Sequence, residues 1–414
     1  MKILNINKYY QHTSGGDRFF FDTENILSSL GHEVIPYCLD YRNNYETPFS
    51  KYFPEGIPGT DTNNQPVLKK VKLFLNGIYS FEAKNGLAHL ISESSPEIAH
   101  LHILHYTLSS SVIDILHSKG IPIVFSLHDY RIFCAGAYLY RQGHQCQKCI
   151  NGHYYNAIKY RCDGNSIGRN IMATIGNYIY KFTDVYDKVD LFTVPHDGMM
   201  ELMAQAGIPR KKIRVLKNPF SVNEELPLPS LGEQVTFFGY LSFHKGILTL
   251  LKAAANLPNI PFIICGKGEA LNEIQAFIER NKIKNVEIDT VSRWHNGLKN
   301  ILASSRFVVS PSEWPTPLEY STLETMSLGK AIVASRIGGN AHIIKDGETG
   351  IFFEPGNSGD LERAINYLYS RPELCEQIGK NARNEIIQNF SEDAFYQELI
   401  NIYDEAIDLR RNQI

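Results

Sequence analysis

Residues 307–335 read FVVSPSEWPTPLEYSTLETMSLGKAIVAS and combine patterns that together decide the fold. Residues 307–309 form a short apolar run typical of a buried strand, and residues 330–335 form another. Between them, residues 321–328 have the apolar spacing of a helix, and Gly329 separates this helix from the second strand. A strand, a helix and a strand in this order predict a parallel βαβ unit.

The same alternation extends outward from this unit in both directions. Toward the N-terminus the sequence predicts strands at 2–6, 33–38, 96–102 and 121–127, with helices at 19–30 and 109–117. After the Pro- and Glu-rich linker 224–232 it predicts strands at 235–238 and 262–265 around a helix at 248–257. We therefore predict an α/β protein with two Rossmann-like, doubly wound domains, at 1–218 and 219–390, and a last helical segment at 391–414.

Composition narrows the class of protein. A chain of 414 residues is too long for one hydrophobic core, and its 43% hydrophobic and 21% charged residues exclude a disordered chain. The net charge of −3 excludes a dedicated nucleic-acid-binding protein, which would carry an excess of positive charge. No apolar run reaches the roughly 18 residues of a membrane span, and the start lacks an export signal, so we expect a cytoplasmic protein.

One loop and one helix carry the residues expected of a site for an anionic ligand. The loop 239–246 follows an apolar strand and precedes a helix, whose N–H groups and positive dipole end face the loop, and Lys245 adds a full charge. Glu324, in the helix predicted at 321–328, is placed to accept hydrogen bonds from a ribose diol. The alternatives are a solvated Lys245 in an ordinary turn, and a capping box made by Ser321 and Glu324.

Several stretches together resemble one enzyme family. They are Ser310–Trp314, Leu323–Ser335, Gly338-Gly339, Asp346–Gly356, Gly239–Gly246, Ser14–Gly16, His100–His102, Leu127–Tyr130, Ala206–Pro209 and Lys212-Ile213. Over nearly the whole chain, this pattern resembles the group-1 (family-four) retaining glycosyltransferases of GT-B fold. The resemblance implies two Rossmann-like domains with an interdomain cleft for the nucleotide sugar, and a final helix that crosses back to the N-terminal, acceptor-side domain.

The resemblance also implies a reaction. A sugar would move with retained configuration from a UDP- or GDP-sugar to a glycan or polyprenyl-linked acceptor, in the assembly of a surface polysaccharide such as capsule or O-antigen. The leaving phosphate oxygen would take the acceptor proton, so no metal or other cofactor would be required for catalysis. The protein would mainly position the substrates and stabilise the departing diphosphate.

The family's site residues carry over by position. The catalytic residues implied are His128, Lys245 and Glu324; for His128 alone, a strand-end histidine satisfied by hydrogen bonds is the alternative. The acceptor or diphosphate side comprises Ser14, Gly15, Gly16, Asp17, His128 and Asp129. The donor side comprises Gly239, Tyr240, Lys245, Gly246, Gly266, Lys267, Val291, Thr316, Pro317, Leu318, Glu319, Ser321, Thr322 and Glu324.

The chain departs from the family pattern at three places. Thr316 stands where the family has its first glutamate, with Glu319 three residues later, and Tyr240 stands where an arginine is common. Ala341-His342 replaces the usual Pro-Glu after Gly339. These departures leave open a binding subunit without turnover, and an epimerase on the same fold is a further alternative. A dinucleotide oxidoreductase would need the motif G-x-G-x-x-G. Here Gly266 and Gly268 supply the first two glycines, but Leu271 stands in the position of the third.

Two further segments suggest partners. Cys134, Cys146, Cys149 and Cys162 lie in an insertion predicted at 131–165 and could hold a structural zinc, with reduced thiols as the alternative. Residues 69–75 mix lysines with apolar side chains. They could rest on anionic lipid as a peripheral membrane contact, or form a solvated helix face.

Overall fold

The computed structural model describes residues 1–56, 74–105, 108–164, 166–222, 231–294 and 296–412. Its internal contacts divide the chain into two compact units. Unit 1 comprises 1–138, 147–219 and 392–414, and unit 2 comprises 139–146 and 220–391. The main bounds lie one residue from the predicted ones. The difference is the short segment 139–146, which belongs to unit 2 although it lies within the predicted N-terminal insertion.

The strands, in chain order, are β1 (Lys2–Ile6), β2 (Glu33–Tyr37), β3 (Ile98–Leu101), β4 (Ile123–Ser126), β5 (Tyr140–Arg141), β6 (His144–Gln145), β7 (Leu191–Val194), β8 (Ile213–Val215), β9 (Gln234–Phe238), β10 (Phe262–Cys265), β11 (Val286–Asp289), β12 (Ser305–Ser310), β13 (Ile332–Ser335) and β14 (Ile351–Phe353). The helices are α1 (Gly15–Ser29), α2 (Phe81–Ser94), α3 (Ser111–Ser118), α4 (Asn156–Tyr160), α5 (Ile167–Phe182), α6 (Asp197–Gln205), α7 (Ile247–Ala255), α8 (Leu271–Arg280), α9 (Leu298–Ala303), α10 (Tyr320–Ser327), α11 (Asn340–Ile343), α12 (Ser358–Tyr369), α13 (Pro372–Asn389) and α14 (Glu392–Arg411).

Unit 1 is built on a parallel sheet with the strand order β2-β1-β3-β4-β7-β8. Ile3, Leu4 and Ile6 of β1 are completely buried, as expected for a strand that is covered on both faces. The chain runs outward in opposite directions from β1 and β3, so the strand order reverses between them. Ligands of such sheets bind beyond the carboxyl ends of the strands at this reversal.

Unit 2 contains a second parallel sheet, with the order β11-β10-β9-β12-β13-β14 and its reversal between β9 and β12. Neighbouring residues of one strand pack into different cores: Phe237 and Val309 into one hydrophobic cluster, Phe238 and Val308 into another. Both faces of the sheet are therefore buried. This explains why these strands appear in the sequence as continuous apolar runs instead of alternating ones.

Two helices begin earlier than the sequence predicts. The helix α1 begins at Gly15, because the Ser14 side chain accepts a hydrogen bond from the backbone N–H of Asp17 and caps it. The helix α10 begins at Tyr320, with Glu319 at its N-cap position, and the Glu319 side chain accepts no capping hydrogen bond from a backbone N–H of the helix. The alternative that Ser321 is the N-cap of a capping box with Glu324 is therefore wrong, since Ser321 lies inside the helix.

The last helix, α14, belongs to unit 1. Arg410 places Nη2 2.7 Å from Oδ2 of Asp190, and both side chains are buried. Tyr403, also buried, has its hydroxyl 2.7 Å from Nδ1 of His100 in β3. Hydrogen bonds and an ion pair thus attach α14 to unit 1 from its middle to its end.

Two predicted segments lie largely outside the described residues. The linker 224–232 is described only at its last two residues, and the lysine-rich segment 69–75 only at residues 74 and 75. In the part of the chain that the structure describes, no helix is both long and apolar enough to cross a membrane.

Candidate functional site

The loops after β9 and β12 meet at the reversal of the unit 2 sheet. Gly246 has φ +70°, and a Cβ atom built on it would lie 1.8 Å from the carbonyl oxygen of Pro311. The two loops are joined by a backbone hydrogen bond of 2.9 Å from Glu313 N to His244 O. Only glycine permits both this conformation and this close approach, and the result is that Lys245 is held beside residues 310–321.

Lys245 and Glu319 form the centre of this site. Lys245 Nζ lies 2.9 Å from Glu319 Oε1, with 20% of the lysine side chain and 4% of the glutamate side chain exposed. Glu319 also accepts hydrogen bonds from the hydroxyls of Ser312 (2.5 Å) and Ser310 (2.8 Å). Burial acts to raise the pKa of Glu319, but the Lys245 ammonium and these hydroxyls outweigh it, and the pKa is lowered from its ordinary value.

A second layer of hydrogen bonds holds these groups in place. Asn340 donates from Nδ2 to the Ser310 hydroxyl (3.2 Å) and accepts at Oδ1 from the Thr322 hydroxyl (2.7 Å). The hydroxyl of Ser335 donates to the carbonyl of Ser312 at 2.6 Å. The carboxylate is thereby fixed by residues of β12, α10, α11 and β13, so it is preorganised before any ligand arrives.

A small recess opens beside this pair. Its lining includes Gly239, Lys245, Ser310, Glu319 and Ser321. An ammonium has three N–H donors and Glu319 occupies one of them, so Lys245 retains donors for an anion in the recess. The N-terminal N–H groups of α10 begin at the same place and favour an anion there. The structure therefore brings together Gly239, Lys245, Gly246, Glu319 and Ser321, all of which the sequence predicts for the donor side.

Other predicted donor residues lie around this centre. Tyr240 is 56% exposed and donates its hydroxyl to Glu269 (2.9 Å), so it does not replace the cation of the family's arginine. Gly266 and Lys267 belong to the next loop, in which Leu241 N donates to Lys267 O at 2.9 Å. Val291 is 74% exposed in the loop after β11.

Thr316, in the position of the family's first glutamate, is buried. Its hydroxyl donates to the carbonyl of Leu318 at 3.3 Å, and its own carbonyl accepts from Gly339 N at 2.8 Å. The neighbouring Pro317 is buried, Thr322 is buried with its hydroxyl on Asn340, and Glu324 is buried inside α10. A direct contact of Thr316 or Glu324 with a donor stays a prediction.

Sequence reasoning did not select Ser310, Ser312 and Asn340 as site residues. The first two lie in the Ser-Pro-Ser stretch and the third follows Gly338-Gly339, so all three fall within or beside the motifs that carry the resemblance. Serines directly after a buried strand at the reversal of a parallel sheet are the signal that could have found the first two.

The glycine loop of unit 1 is organised by Asp17. This buried carboxylate accepts hydrogen bonds from Asn7 Nδ2 (2.8 Å), Thr13 N (3.1 Å), the Thr13 hydroxyl (2.5 Å) and the Ser14 hydroxyl (2.9 Å). Asp17 therefore shapes the loop, whereas Gly15 is exposed. A Cβ on Gly16 would lie 3.2 Å from Cβ of His128 and 2.9 Å from Cδ1 of Ile103, so the loop and His128 are direct neighbours.

His128 belongs to a group of three histidines at the ends of β3 and β4. His102 places Nδ1 3.1 Å from Nε2 of His128 and Nε2 2.8 Å from Oδ1 of Asn5. His100 bonds to Tyr403 and, through Nε2, to Ser126 at 2.7 Å. Burial lowers the pKa of His128 to about 4 and that of His100 to about 3, and it lowers the pKa of His102 as well, so all three are neutral at pH 7.

Asp129 and the cysteines lie beyond this group. Asp129 accepts a hydrogen bond from Arg131 N at 2.8 Å and stabilises the turn after β4. Cys134, Cys146, Cys149 and Cys162 do not form a complete ligand set: within the described ranges, no group of three or more Cys, His, Asp or Glu side chains could hold a metal ion. The residues as placed do not fit the predicted structural zinc, and zinc binding stays a prediction for metal analysis of the purified protein.

Comparison with known families defines the class. Residues 13–224 match Glycosyltransferase Family 4, and residues 222–385 match Glycosyl transferases group 1. The chain therefore belongs to the group-1 (family-four) glycosyltransferases.

Two relatives are uncharacterised glycosyltransferases of Methanocaldococcus jannaschii. One is 24% identical, over 55% of this chain and 63% of its own length, and the other is 23% identical, over 87% of this chain and 97% of its own. The alpha-D-kanosaminyltransferase of Streptomyces kanamyceticus is 27% identical, over 41% of this chain and 45% of its own length.

Solved structures show the same fold. The sucrose-phosphate synthase of Thermosynechococcus elongatus superposes with a TM-score of 0.70 at 16% identity, over 98% of each chain. Anabaena HepE, solved in complex with UDP and glucose, superposes with a TM-score of 0.66 at 17% identity, over 98% of this chain and 99% of its own. The predicted α/β fold of GT-B type is confirmed.

Proposed function

We propose that this glycosyltransferase uses a nucleoside-diphosphate sugar, with UDP or GDP as the carrier, and transfers the sugar with retention to a glycan or lipid-linked saccharide. The pathway that we propose is surface-polysaccharide assembly in the cytoplasm. The observation that carries the proposal is the Lys245–Glu319 pair at the sheet reversal, beside the N-terminus of α10. UDP in the HepE structure supports the choice of a nucleotide donor.

In this proposal the chain's residues stabilise the departing diphosphate without a metal. Lys245 supplies the positive charge, and the N–H groups at the start of α10 supply oriented dipoles. Glu319 keeps the lysine in one position, because a buried carboxylate with three donors has little freedom to move. His128, beside the glycine loop of unit 1, would contact a sugar hydroxyl.

The test is a donor screen that measures nucleotide release from UDP- and GDP-sugars, with and without lipid-linked saccharide acceptors. We expect release only with an acceptor, unchanged by EDTA, and a product whose NMR spectrum shows the donor's anomeric configuration. Release that needs added metal would contradict the metal-independent mechanism. Product formed from the donor alone would indicate an epimerase, and no release with any donor would indicate a binding subunit.

A matched pair of variants tests the site itself. Lys245→Ala should weaken UDP or GDP binding by at least about tenfold in calorimetry, since one charge-assisted contact is worth about 1.5–3 kcal/mol. Lys284→Ala, which changes an exposed lysine just before β11, is the control and should change the affinity less than about threefold. Equal affinities of wild type and Lys245→Ala would remove the proposed donor site.

A further inference from the structure

The helix α5 in unit 1 packs against the protein through its polar side. The residues that it buries are polar or small, apart from one tyrosine: Asn170, Ala173, Thr174, Gly176, Asn177 and Tyr180. Its large aliphatic side chains lie on the other side. An amphipathic helix of a globular protein normally does the reverse, with the apolar stripe toward the core.

The exposed stripe is continuous. At 100° per residue, Ile167, Ile171, Ile175, Tyr178 and Phe182 fall within an arc of about 80° on one face of α5. Three of them are well exposed: Ile167 at 53%, Ile175 at 37% and Phe182 at 78%. The Tyr178 and Phe182 rings are stacked, with centroids 6.1 Å apart.

The neighbouring helix α4 extends this surface. Ile158, 39% exposed, lies in α4, and Tyr155, 54% exposed, is the residue just before it. The helix α4 packs against α5. The ring of Tyr154 contacts that of Tyr178 with centroids 5.2 Å apart. We call the exposed residues Tyr155, Ile158, Ile167, Ile175 and Phe182 the α4–α5 apolar face.

The exposed charge along this part of the chain is mostly basic. Residues 147–187 contain five basic residues, all exposed: Lys148, Lys159, Arg161, Arg169 and Lys181. The same stretch contains three acidic residues: Asp163, which is buried and bonded to Arg169 at 3.0 Å, and the exposed Asp184 and Asp187 after α5. Exposed apolar side chains in a stretch with an excess of exposed basic ones match a surface of anionic headgroups over acyl chains.

We propose that the α4–α5 apolar face docks unit 1 on an anionic lipid surface. The aromatic and aliphatic side chains would enter the boundary between headgroups and acyl chains, and exposed lysines such as Lys159 and Lys181 would contact the headgroups. The lipid surface is favoured over a second copy of the chain, because two copies of this stretch would face each other with five exposed basic residues and only two exposed acidic ones each. The inference stands apart from the proposed reaction and from the predicted lipid contact at residues 69–75.

Co-sedimentation with vesicles tests the docking. We expect wild type to bind vesicles of phosphatidylglycerol and phosphatidylcholine at least about tenfold more strongly than vesicles of phosphatidylcholine alone, and less strongly as salt rises. Ile175→Ser with Phe182→Ser should reduce binding to the anionic vesicles at least about tenfold. Phe81→Ser is the matched control, since Phe81 is an aromatic residue of unit 1 that is 68% exposed elsewhere.

A second pair of substitutions tests whether the basic residues contribute to vesicle binding. Lys159→Gln with Lys181→Gln should weaken binding and its salt dependence, whereas the exposed lysines Lys119 and Lys211, changed together to glutamine, should have a smaller effect. Binding that Ile175→Ser with Phe182→Ser leaves intact would overturn the proposal, as would wild type that binds no vesicles. A wild-type dimer that these changes dissociate in sedimentation equilibrium would assign the face to a second copy instead.

Discussion

His102 Nδ1 lies 3.1 Å from His128 Nε2, and this contact determines which nitrogen of His128 carries the proton. Asn5 Nδ2 points to the carbonyl of Phe20, so Asn5 presents its oxygen to His102 Nε2 at 2.8 Å. The neutral His102 therefore carries its proton on Nε2 and accepts at Nδ1. His128 must then donate from Nε2, and its Nδ1 is a hydrogen-bond acceptor.

The first prediction is this tautomer. In the folded protein, the ¹⁵N chemical shifts of His128 should show a protonated Nε2 and a bare Nδ1 at pH 7, because burial keeps the ring neutral. His102→Gln can still accept from His128 and donate to Asn5, so it should keep this spectrum and most of the activity. His102→Phe keeps a ring at this position but removes the acceptor. If His102→Phe leaves the His128 shifts unchanged, His102 is not a positioning residue.

The second prediction concerns the acid dependence of stability. The pKa of Glu319 is lowered from its ordinary value of 4.5, so its charged interactions stabilise the fold above that pH and are lost as pH falls through the lower folded-state value. Glu319→Gln should lower the free energy of unfolding by about 1–3 kcal/mol at pH 7 and by less near pH 4, measured in urea. Glu287→Gln, an exposed control in β11, should show almost no loss at either pH. A Glu319→Gln deficit that is constant from pH 7 to pH 4 would refute the charge interaction.

The sequence predicts the two sheets because apolar runs such as 235–238 and 307–309 follow from burial on both faces, a local pattern. It also predicts Lys245 and Glu319 as site residues, but not their bond, since the two are joined only where the loops after β9 and β12 meet. Likewise the inverted burial of α5 depends on which side of the helix packs against the rest of unit 1, including α4. Spacing shows that Ile167 and Ile175 share a face, but not that solvent covers it.

The third prediction tests the approach of the two loops. Gly246→Ala places a Cβ against the Pro311 carbonyl at φ +70°, so the loop that carries Lys245 must move. We expect at least about tenfold weaker nucleotide binding in calorimetry. Gly347→Ala is the control, because Gly347 has φ +77° but no atom within 4 Å of its added Cβ. It should cost only about 1 kcal/mol of backbone strain and leave binding unchanged. Equal nucleotide affinities of the two variants would show that the contact with Pro311 does not position Lys245.

The fourth prediction concerns α14. Asp190 Oδ2 accepts from Arg410 Nη2 at 2.7 Å and from Ile123 N at 2.7 Å, and the ion pair is buried. Asp190→Asn leaves the Arg410 charge buried without a counter-charge, so it should destabilise unit 1 by about 3–5 kcal/mol. Hydrogen exchange of the α14 amides should accelerate with it, because the helix loses its attachment near its end. The control is Asp408→Asn, which removes the exposed ion pair with Arg411 and should change stability by less than about 1 kcal/mol. Protection of α14 that survives Asp190→Asn would mean that Tyr403 and the apolar contacts hold the helix without the ion pair.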